Sequence, residues 1–433
     1  MFKIIISLFI ASTFTFGTPS FAQDIEAQII SQIEKGLPQA IQELEEVVNI
    51  NSGTMNFEGV RKVGAVFKSQ LEALGFKAEI TDGTAYRRAG HLVASYGTQG
   101  PKILMIGHLD TVFAKEDDFQ SYKELGDNKV AGPGITDMKG GDVIIVSAVR
   151  SLKELELLDQ VQIRIVMTGD EERSGSPLSS SKRALVDAAK WADIALGVED
   201  GDGNIKTAVV SRRGSVGWTL DITGKPAHSS QIFQDQIGYG AIYEAARILE
   251  AFRLELSSMG NLTFNPGMII GGTKTEYDVA TASGNAFGKS NVIAKEVKVT
   301  GDIRALSVAQ LDTAKGKMQE IVSNNLGHTS ATLEFLEGYP PLAPTDANKT
   351  LLGMYSDISV GLGYGKVEAV NPRNAGAADI SFTSGYVDMA MDGMGVMGDG
   401  GHTKGEVADM TTLKMNIEKA AILIYRLSQR PIT

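Results

Sequence analysis

The sequence predicts an α/β fold: a mixed, largely parallel sheet between helices, interrupted by an inserted α+β segment. Three observations predict it. Short apolar runs alternate with stretches of helical periodicity between residues 58 and 198, the pattern of parallel strands joined by crossover helices. The texture changes near Val209, where an alternating strand, a helix, two strand-like segments and a second helix follow. Finally, 433 residues favour two domains over one.

The elements follow in order. Residues 1–22 carry Lys3, an apolar run from Ile4 to Phe16, and Ser20-Phe21-Ala22. A charged start, an apolar middle and a small-x-small site read as a secretory signal, with the mature chain starting near Gln23. A membrane anchor is the weaker reading, because the run is short and a cleavage-like site follows at once. No later segment has the roughly 18 apolar residues of a membrane span. The mature chain is therefore expected to be periplasmic or secreted, and free of the membrane. Two amphipathic helices are expected between Asp24 and Ile50, broken at Gly36-Leu37-Pro38. A helix over 58–74 stops at Gly75. Strands are expected at 78–80, 91–96 and 102–106, a helix over 141–155, a strand at 161–167, a helix over 179–190 and a strand at 194–198. The inserted segment, 210–326, holds strands at 215–222, 263–271 and 291–305 and helices over 239–256 and 307–325. The first domain, 23–209, resumes at 327 and runs to 433.

Charge and composition narrow the function. The net charge of −11 is spread along the chain, so no basic stripe exists to neutralise phosphates, and nucleic acid is not an expected partner. The chain has no cysteine, which removes disulfides, thiolate nucleophiles and thiolate metal ligands.

The chemistry lies where the apolar runs stop. Strand 102–106 ends in Gly107-His108-Leu109-Asp110, strand 161–167 in Thr168-Gly169-Asp170-Glu171-Glu172, and strand 194–198 in Glu199-Asp200. GPGITDMKGG carries Asp137 just before a helix, and GDGGHTKGE carries His402 in a late Gly-rich loop. If the strands are parallel, these positions converge outside their carboxyl ends, where ligands bind in such sheets. Each residue alone has an ordinary reading. His108 suits a core histidine, Asp137 a helix N-cap, Asp170-Glu171-Glu172 a solvated helix start, Glu199-Asp200 an acidic turn, and His402 a mobile loop. Together they gather carboxylates that would repel one another by several kcal/mol without a cation. Two imidazoles and three carboxylates suit a pair of Zn²⁺ ions sharing one carboxylate, with Co²⁺ or Mn²⁺ as alternatives, and leave a fourth carboxylate as a base.

GHLDTVF, GPGITDMKGG, TGDEERSG and the late Gly-His-Thr, in this order, resemble the co-catalytic zinc metallopeptidases of the glutamate carboxypeptidase, aminoacylase and succinyl-diaminopimelate desuccinylase family. The resemblance is greatest to its bacterial glutamate carboxypeptidase branch, of carboxypeptidase G type. It implies a zinc-peptidase catalytic domain with an inserted ferredoxin-like lid and dimerisation domain, two zinc ions per subunit, and a homodimer. His108 and Glu199 would hold one ion, Glu172 and His402 the other, with Asp137 bridging both and followed by a cis peptide. Asp110 would orient the His108 ring. Glu171 would be the general base, taking a proton from the attacking water and passing it to the leaving amine. His228, in GKPAHSS, would polarise the scissile carbonyl, often from the partner's lid. Arg304 would grip a substrate carboxylate, Asn291 would touch substrate, and Ala375 to Asp379 would offer backbone donors. His91 and His328 match nothing.

The implied activity is hydrolysis of the amide bond before a C-terminal amino acid, with glutamate the first candidate. The alternatives on the same ligands are an N-acyl-amino-acid deacylase or a dipeptidase, and, from another class, a non-catalytic periplasmic receptor. The expected partner is a small peptide or N-acyl amino acid. Two points depart from a simple match. Asp200 is a rival to Glu199 as ligand, and the basic residues Lys206, Arg212 and Arg213 face either an acidic substrate or a hinge surface.

Overall fold

The computed structural model describes residues 19–430 apart from position 280. Up to residue 18 the expected signal lies outside the described residues. The central sheet has six strands in the order Lys77–Ile80, Leu92–Tyr96, Gln162–Thr168, Lys102–His108, Ile194–Gly197, Met389–Met391. Lys102–His108 runs parallel to both of its neighbours, and Met389–Met391 is parallel to Ile194–Gly197. The two strands at the other edge pair antiparallel. The sheet is mixed and largely parallel, as predicted.

Ile103 to Ile106 and Ile194 to Leu196 are continuous apolar runs because helices cover both faces. Side chains alternate across the sheet. Ile103, Met105, Ile163, Ile165 and Leu196 enter one buried cluster with helices Pro19–Val48, Lys139–Glu154 and Thr411–Ser428. Leu104, Ile106, Val166 and Ala195 face the other way, onto Leu185, Ala188 and Ala189 of helix Arg183–Trp191.

Two expectations for the helices change. The predicted pair between Asp24 and Ile50 is a single helix, Pro19–Val48, which passes through Pro38. Buried Ile29, Ile33, Ala40, Leu44 and Val47 continue one apolar face across the proline. That packing outweighs the roughly 3 kcal/mol an interior proline costs. The helix expected over 179–190 is two, Leu178–Ser181 and Arg183–Trp191.

The second sheet is antiparallel, in the order Thr263–Gly272, Glu296–Arg304, Val216–Gly224, Thr329–Phe335. With helices Ala241–Leu256 and Val308–Ser323 its chain order is strand-helix-strand-strand-helix-strand, the ferredoxin-like arrangement. Its core is separate, built around Trp218, whose ring meets Phe252 edge-on at 6.1 Å. Thr329–Phe335 lies past the expected return at 327, yet it pairs with Val216–Gly224 along its whole length. Ala331, Leu333 and Phe335 alternate onto this second core, and that burial sets its membership. The strand expected over 291–305 begins only at Glu296, and a hairpin, Lys274–Asp278 with Ser283–Phe287, precedes it. The two sheets are joined by paired hinge segments, Arg212 with Leu342 and Ser215 with Tyr339.

One buried cation carries a stability prediction. Lys419, 1 % exposed, sits with Nζ 4.7 Å from the Tyr355 ring centroid. Burial pushes its ammonium down from 10.5 to about 7. Between these values the unfolded chain binds the proton and the folded chain does not, so stability falls as pH drops from about 10 toward 7. Lys419→Met is expected to raise the melting temperature at pH 7 more than at pH 9.5. An equal shift at both pH values would contradict this.

Candidate metal centre

The three parallel strands end side by side. His108 is level with Thr168, and Ile106 with Gly197. The polar groups that follow each strand therefore share one edge. Helix Lys139–Glu154 starts hard against that edge. A Cβ on Gly141 would stand 2.0 Å from the Val198 carbonyl oxygen, so only glycine lets the Asp137 loop approach Glu199 this closely. The Asp137–Met138 peptide is cis.

Two ligand sets form here and share one residue. His108 Nε2 lies 2.9 Å from Asp137 Oδ1 and 3.5 Å from Glu199 Oε1. His402 Nε2 lies 2.8 Å from Asp137 Oδ2 and 3.1 Å from Glu172 Oε2. Within each set the donor atoms are within 4.8 Å of one another. The two oxygens of Asp137 thus divide between the sets. Glu199 takes part and Asp200 does not.

Left to protons alone, these groups settle their charge by shifting pKa. Burial favours a neutral His108 ring, but Glu199 and Asp137 together hold it well above its ordinary range. Hydrogen bonds to Asp137 and Glu172 push His402 up to about 11. Burial, then Asp137, raises Glu199 well above the carboxylate range. Burial, with the Asp379 and Glu172 charges, raises Glu171 likewise. Asp137 stays low despite burial, because both imidazoles donate to it. Glu172 Oε1 is buried without a hydrogen-bond partner. Two divalent cations would relieve all of this. The set of two imidazoles and three carboxylates fits them.

Asp110 orients His108 by a different atom from the one expected. The ring Nδ1 lies 2.9 Å from the Asp110 main-chain carbonyl and 3.6 Å from its carboxylate. A carbonyl only accepts, so Nδ1 carries a proton toward Asp110, and a metal ion bound among the acids would take the Nε2 lone pair in place of the proton that Nε2 now donates to Asp137. The Asp110 carboxylate instead accepts from the Glu171 N–H (3.0 Å), the Glu172 N–H (3.2 Å) and the Thr54 hydroxyl (2.6 Å). It anchors the turn that presents both glutamates. Burial pushes it up to about 7.

Several supports escaped the sequence reading. Glu406 accepts from the backbone N–H groups of Gly134, Thr136 and Asp137 at 2.8–3.2 Å and so shapes the Asp137 loop. Arg212 pairs with Asp392 at 2.8 Å, and Asp392 accepts from the Glu199 N–H at 3.2 Å. Arg212 also donates to the Gly376 carbonyl at 3.0 Å. That carbonyl belongs to the segment expected to offer donors to substrate. The Tyr339 hydroxyl donates to the Glu171 carbonyl (3.1 Å) and lies 3.2 Å from Asp379 Oδ1. His91 is buried, not idle: Nδ1 accepts from the Gly169 N–H at 3.1 Å. These partners are 40 or more positions apart along the chain, and no local pattern announces them.

Behind them Lys182, 1 % exposed, lies 3.1 Å from Asp170 and 3.0 Å from Asp379. Lys182→Met would leave both carboxylates buried and unpaired. It is expected to cost about 3–5 kcal/mol of unfolding free energy, read from urea denaturation. A loss below 1 kcal/mol would show that the pair is not held as described.

His228, Asn291 and Arg304 are not gathered with the ligands. The Ser229 N–H donates to the Asn291 carbonyl at 2.9 Å, and His228 bridges to Val292. His228 and Asn291 thus sit together, at the end of the second sheet where Val216–Gly224 runs out. Arg304 ends strand Glu296–Arg304 at the hinge side, with Nε 2.9 Å from Asp302. The two ends of that strand are about 26 Å apart, too far for one small substrate to touch both within one chain. A cleft of about 490 Å³, lined by Thr54, Met55, Val112, Lys115 and Arg173, opens beside Glu172.

Comparison with known proteins agrees with this geometry. The model of peptidase family M20/M25/M40 matches residues 104–428. Carboxypeptidase G2 of Pseudomonas sp. (strain RS-16) is 25% identical over 430 residues, 98% of this chain and 97% of that protein. A probable succinyl-diaminopimelate desuccinylase of Staphylococcus aureus is 26% identical over 343 residues, 74% of this chain and 80% of that one. Among solved structures, aminopeptidase PepT from Bacillus cereus superposes with a TM-score of 0.70 at 18% identity, covering 91% of this chain and 99% of that one. The chain belongs to peptidase family M20/M25/M40 and is a hydrolase of peptide or related amide bonds.

Proposed function

We propose that the chain is an exported, zinc-dependent exopeptidase that hydrolyses the amide bond before a C-terminal amino acid, glutamate first, and that it works as a homodimer. The observation that carries this reading is the pair of ligand sets sharing Asp137, with Glu171 beside them and outside both. His108, Asp137 and Glu199 would hold one zinc ion, and Asp137, Glu172 and His402 the other. Bound there, the two ions would supply Lewis acidity toward the attacking water and the scissile carbonyl.

The chain's own groups do the rest. Glu171 takes the water's proton and hands it to the leaving amine. Among the protein's own groups, burial with the Asp379 and Glu172 charges raises its carboxyl above the usual range, the direction that suits a general base. Asp110 and Tyr339 hold its backbone in place. Arg304 takes a substrate carboxylate bidentately with the guanidinium nitrogens that Asp302 leaves free. His228 and Asn291, at the far end of the lid strand, would reach a neighbouring subunit's centre and polarise the carbonyl there. Carboxypeptidase G2 supports the C-terminal reading. Export rests on the leader sequence, and among the described residues no helix is long and apolar enough to cross a membrane.

A deacylase or dipeptidase would use every one of these groups, and the desuccinylase relative favours the deacylase. A receptor has no use for an unligated Glu171. The deciding experiment incubates zinc-loaded protein with folyl-glutamates, N-acyl amino acids and free-amine dipeptides, and follows products by mass spectrometry. Release of C-terminal glutamate is expected. Cleavage confined to simple acyl amino acids or to free dipeptides would replace this reading with one of the other two.

A further inference from the structure

Three arginines converge at the hinge end of the second sheet. Arg213 Nη1 donates to Thr263 Oγ1 at 2.9 Å, and its Nη2 donates to the Arg373 main-chain carbonyl at 3.3 Å. Thr263 is the ladder partner of Arg304, and the Gly214 N–H donates to the Ala305 carbonyl. Arg213, in the hinge segment, therefore lies beside the end of the Arg304 strand, with the Arg373 loop against it. The carboxylate that faces the group is Asp302, held by Arg304 Nε.

This arrangement is unbalanced in two ways. Positive charge exceeds negative charge. Burial first, and then Arg304 and Arg373, hold the Arg213 guanidinium below its ordinary range. In addition, Arg213 Nε is buried with no hydrogen-bond partner, which is unfavourable for a donor removed from water. An anion bound across the guanidiniums would offset the excess positive charge. The cluster is linked to the metal centre through neighbouring residues of the chain. Arg212, the preceding residue, is tied through Asp392 to the Glu199 N–H. Arg373 lies just ahead of Gly376, whose carbonyl Arg212 also holds.

We propose that Arg213 and Arg373, beside Arg304, form an anion subsite for the side-chain carboxylate of a C-terminal acidic residue, and so select dicarboxylic over neutral substrates. This rests on the exopeptidase reading above. Arg304 alone accounts for one carboxylate. A C-terminal glutamate brings two.

The test compares kcat/KM for an N-acyl-glutamate and the matching N-acyl-glutamine in the zinc-loaded wild type, Arg213→Gln and Arg373→Gln. Arg373 is exposed, so its substitution strands no buried charge and remains informative if Arg213→Gln fails to fold. The Glu/Gln ratio is expected to fall about 10- to 100-fold in each variant. A ratio that stays constant, or a wild type with no preference for glutamate, overturns the subsite. Titration calorimetry with glutarate and its monoamide separates the two ideas. If the wild type releases no C-terminal residue but still binds glutarate more tightly than the monoamide, and both variants lose that difference, the exopeptidase reading falls and the subsite stands. Equal binding of the two ligands by wild type and variants overturns the subsite.

Discussion

Glu171→Gln is expected to lower kcat by about 10²- to 10⁴-fold while two metal ions per chain stay bound. The reasoning starts from position. Glu171 follows strand Gln162–Thr168 on the edge that also presents His108 and Glu199, and it belongs to neither ligand set. Its backbone is held on both sides, by the Asp110 carboxylate at its N–H and by the Tyr339 hydroxyl at its carbonyl. Glutamine keeps the shape and cannot take a proton, so the loss should fall on kcat rather than on metal content. A variant with full activity would remove Glu171 from the chemistry. One that lost metal along with activity would make it a ligand.

Asp137→Asn is expected to weaken both metal sites together. One Asp137 oxygen faces His108 at 2.9 Å and the other faces His402 at 2.8 Å. The amide loses the negative charge that both sets depend on. Removing a group that only supports a ligand typically costs 10–100-fold in metal affinity, so losing this shared ligand should cost more than about 100-fold at each site and take activity to background. Glu199→Gln touches one set only, and should release one ion and leave the other. Mass-spectrometric metal counts after dialysis distinguish the two variants. If Asp137→Asn released a single ion, the shared-carboxylate geometry would be wrong.

The edge of the sheet was legible because it rests on local patterns. Residues 103–106 are a continuous apolar run, and 161–167 alternate before ending in Ile165-Val166-Met167. Each stops just before the residues that carry chemistry. Parallel pairing then aligns His108 with Thr168, and the convergence follows. The inserted unit was legible as far as alternating polarity shows it. Its last strand, Thr329–Phe335, was not, since membership depends on pairing with Val216–Gly224 more than a hundred residues earlier. The helix through Pro38 was missed because local propensity was weighed without the core that buries Ile29 to Val47. The buried partners Lys182, Asp379, Glu406 and Asp392 were missed for a similar reason. A lysine between two aspartates more than ten and nearly two hundred residues away leaves no periodic trace. The role of the Asp110 carbonyl is a matter of which atom points where, which residue identity alone does not say.

The most direct test is a crystal of the zinc-soaked protein measured on both sides of the zinc absorption edge. Two anomalous peaks are predicted, one among His108, Asp137 and Glu199 and the other among Asp137, Glu172 and His402, with Asp137 between them. A single peak, or two peaks that do not share Asp137, would contradict the account.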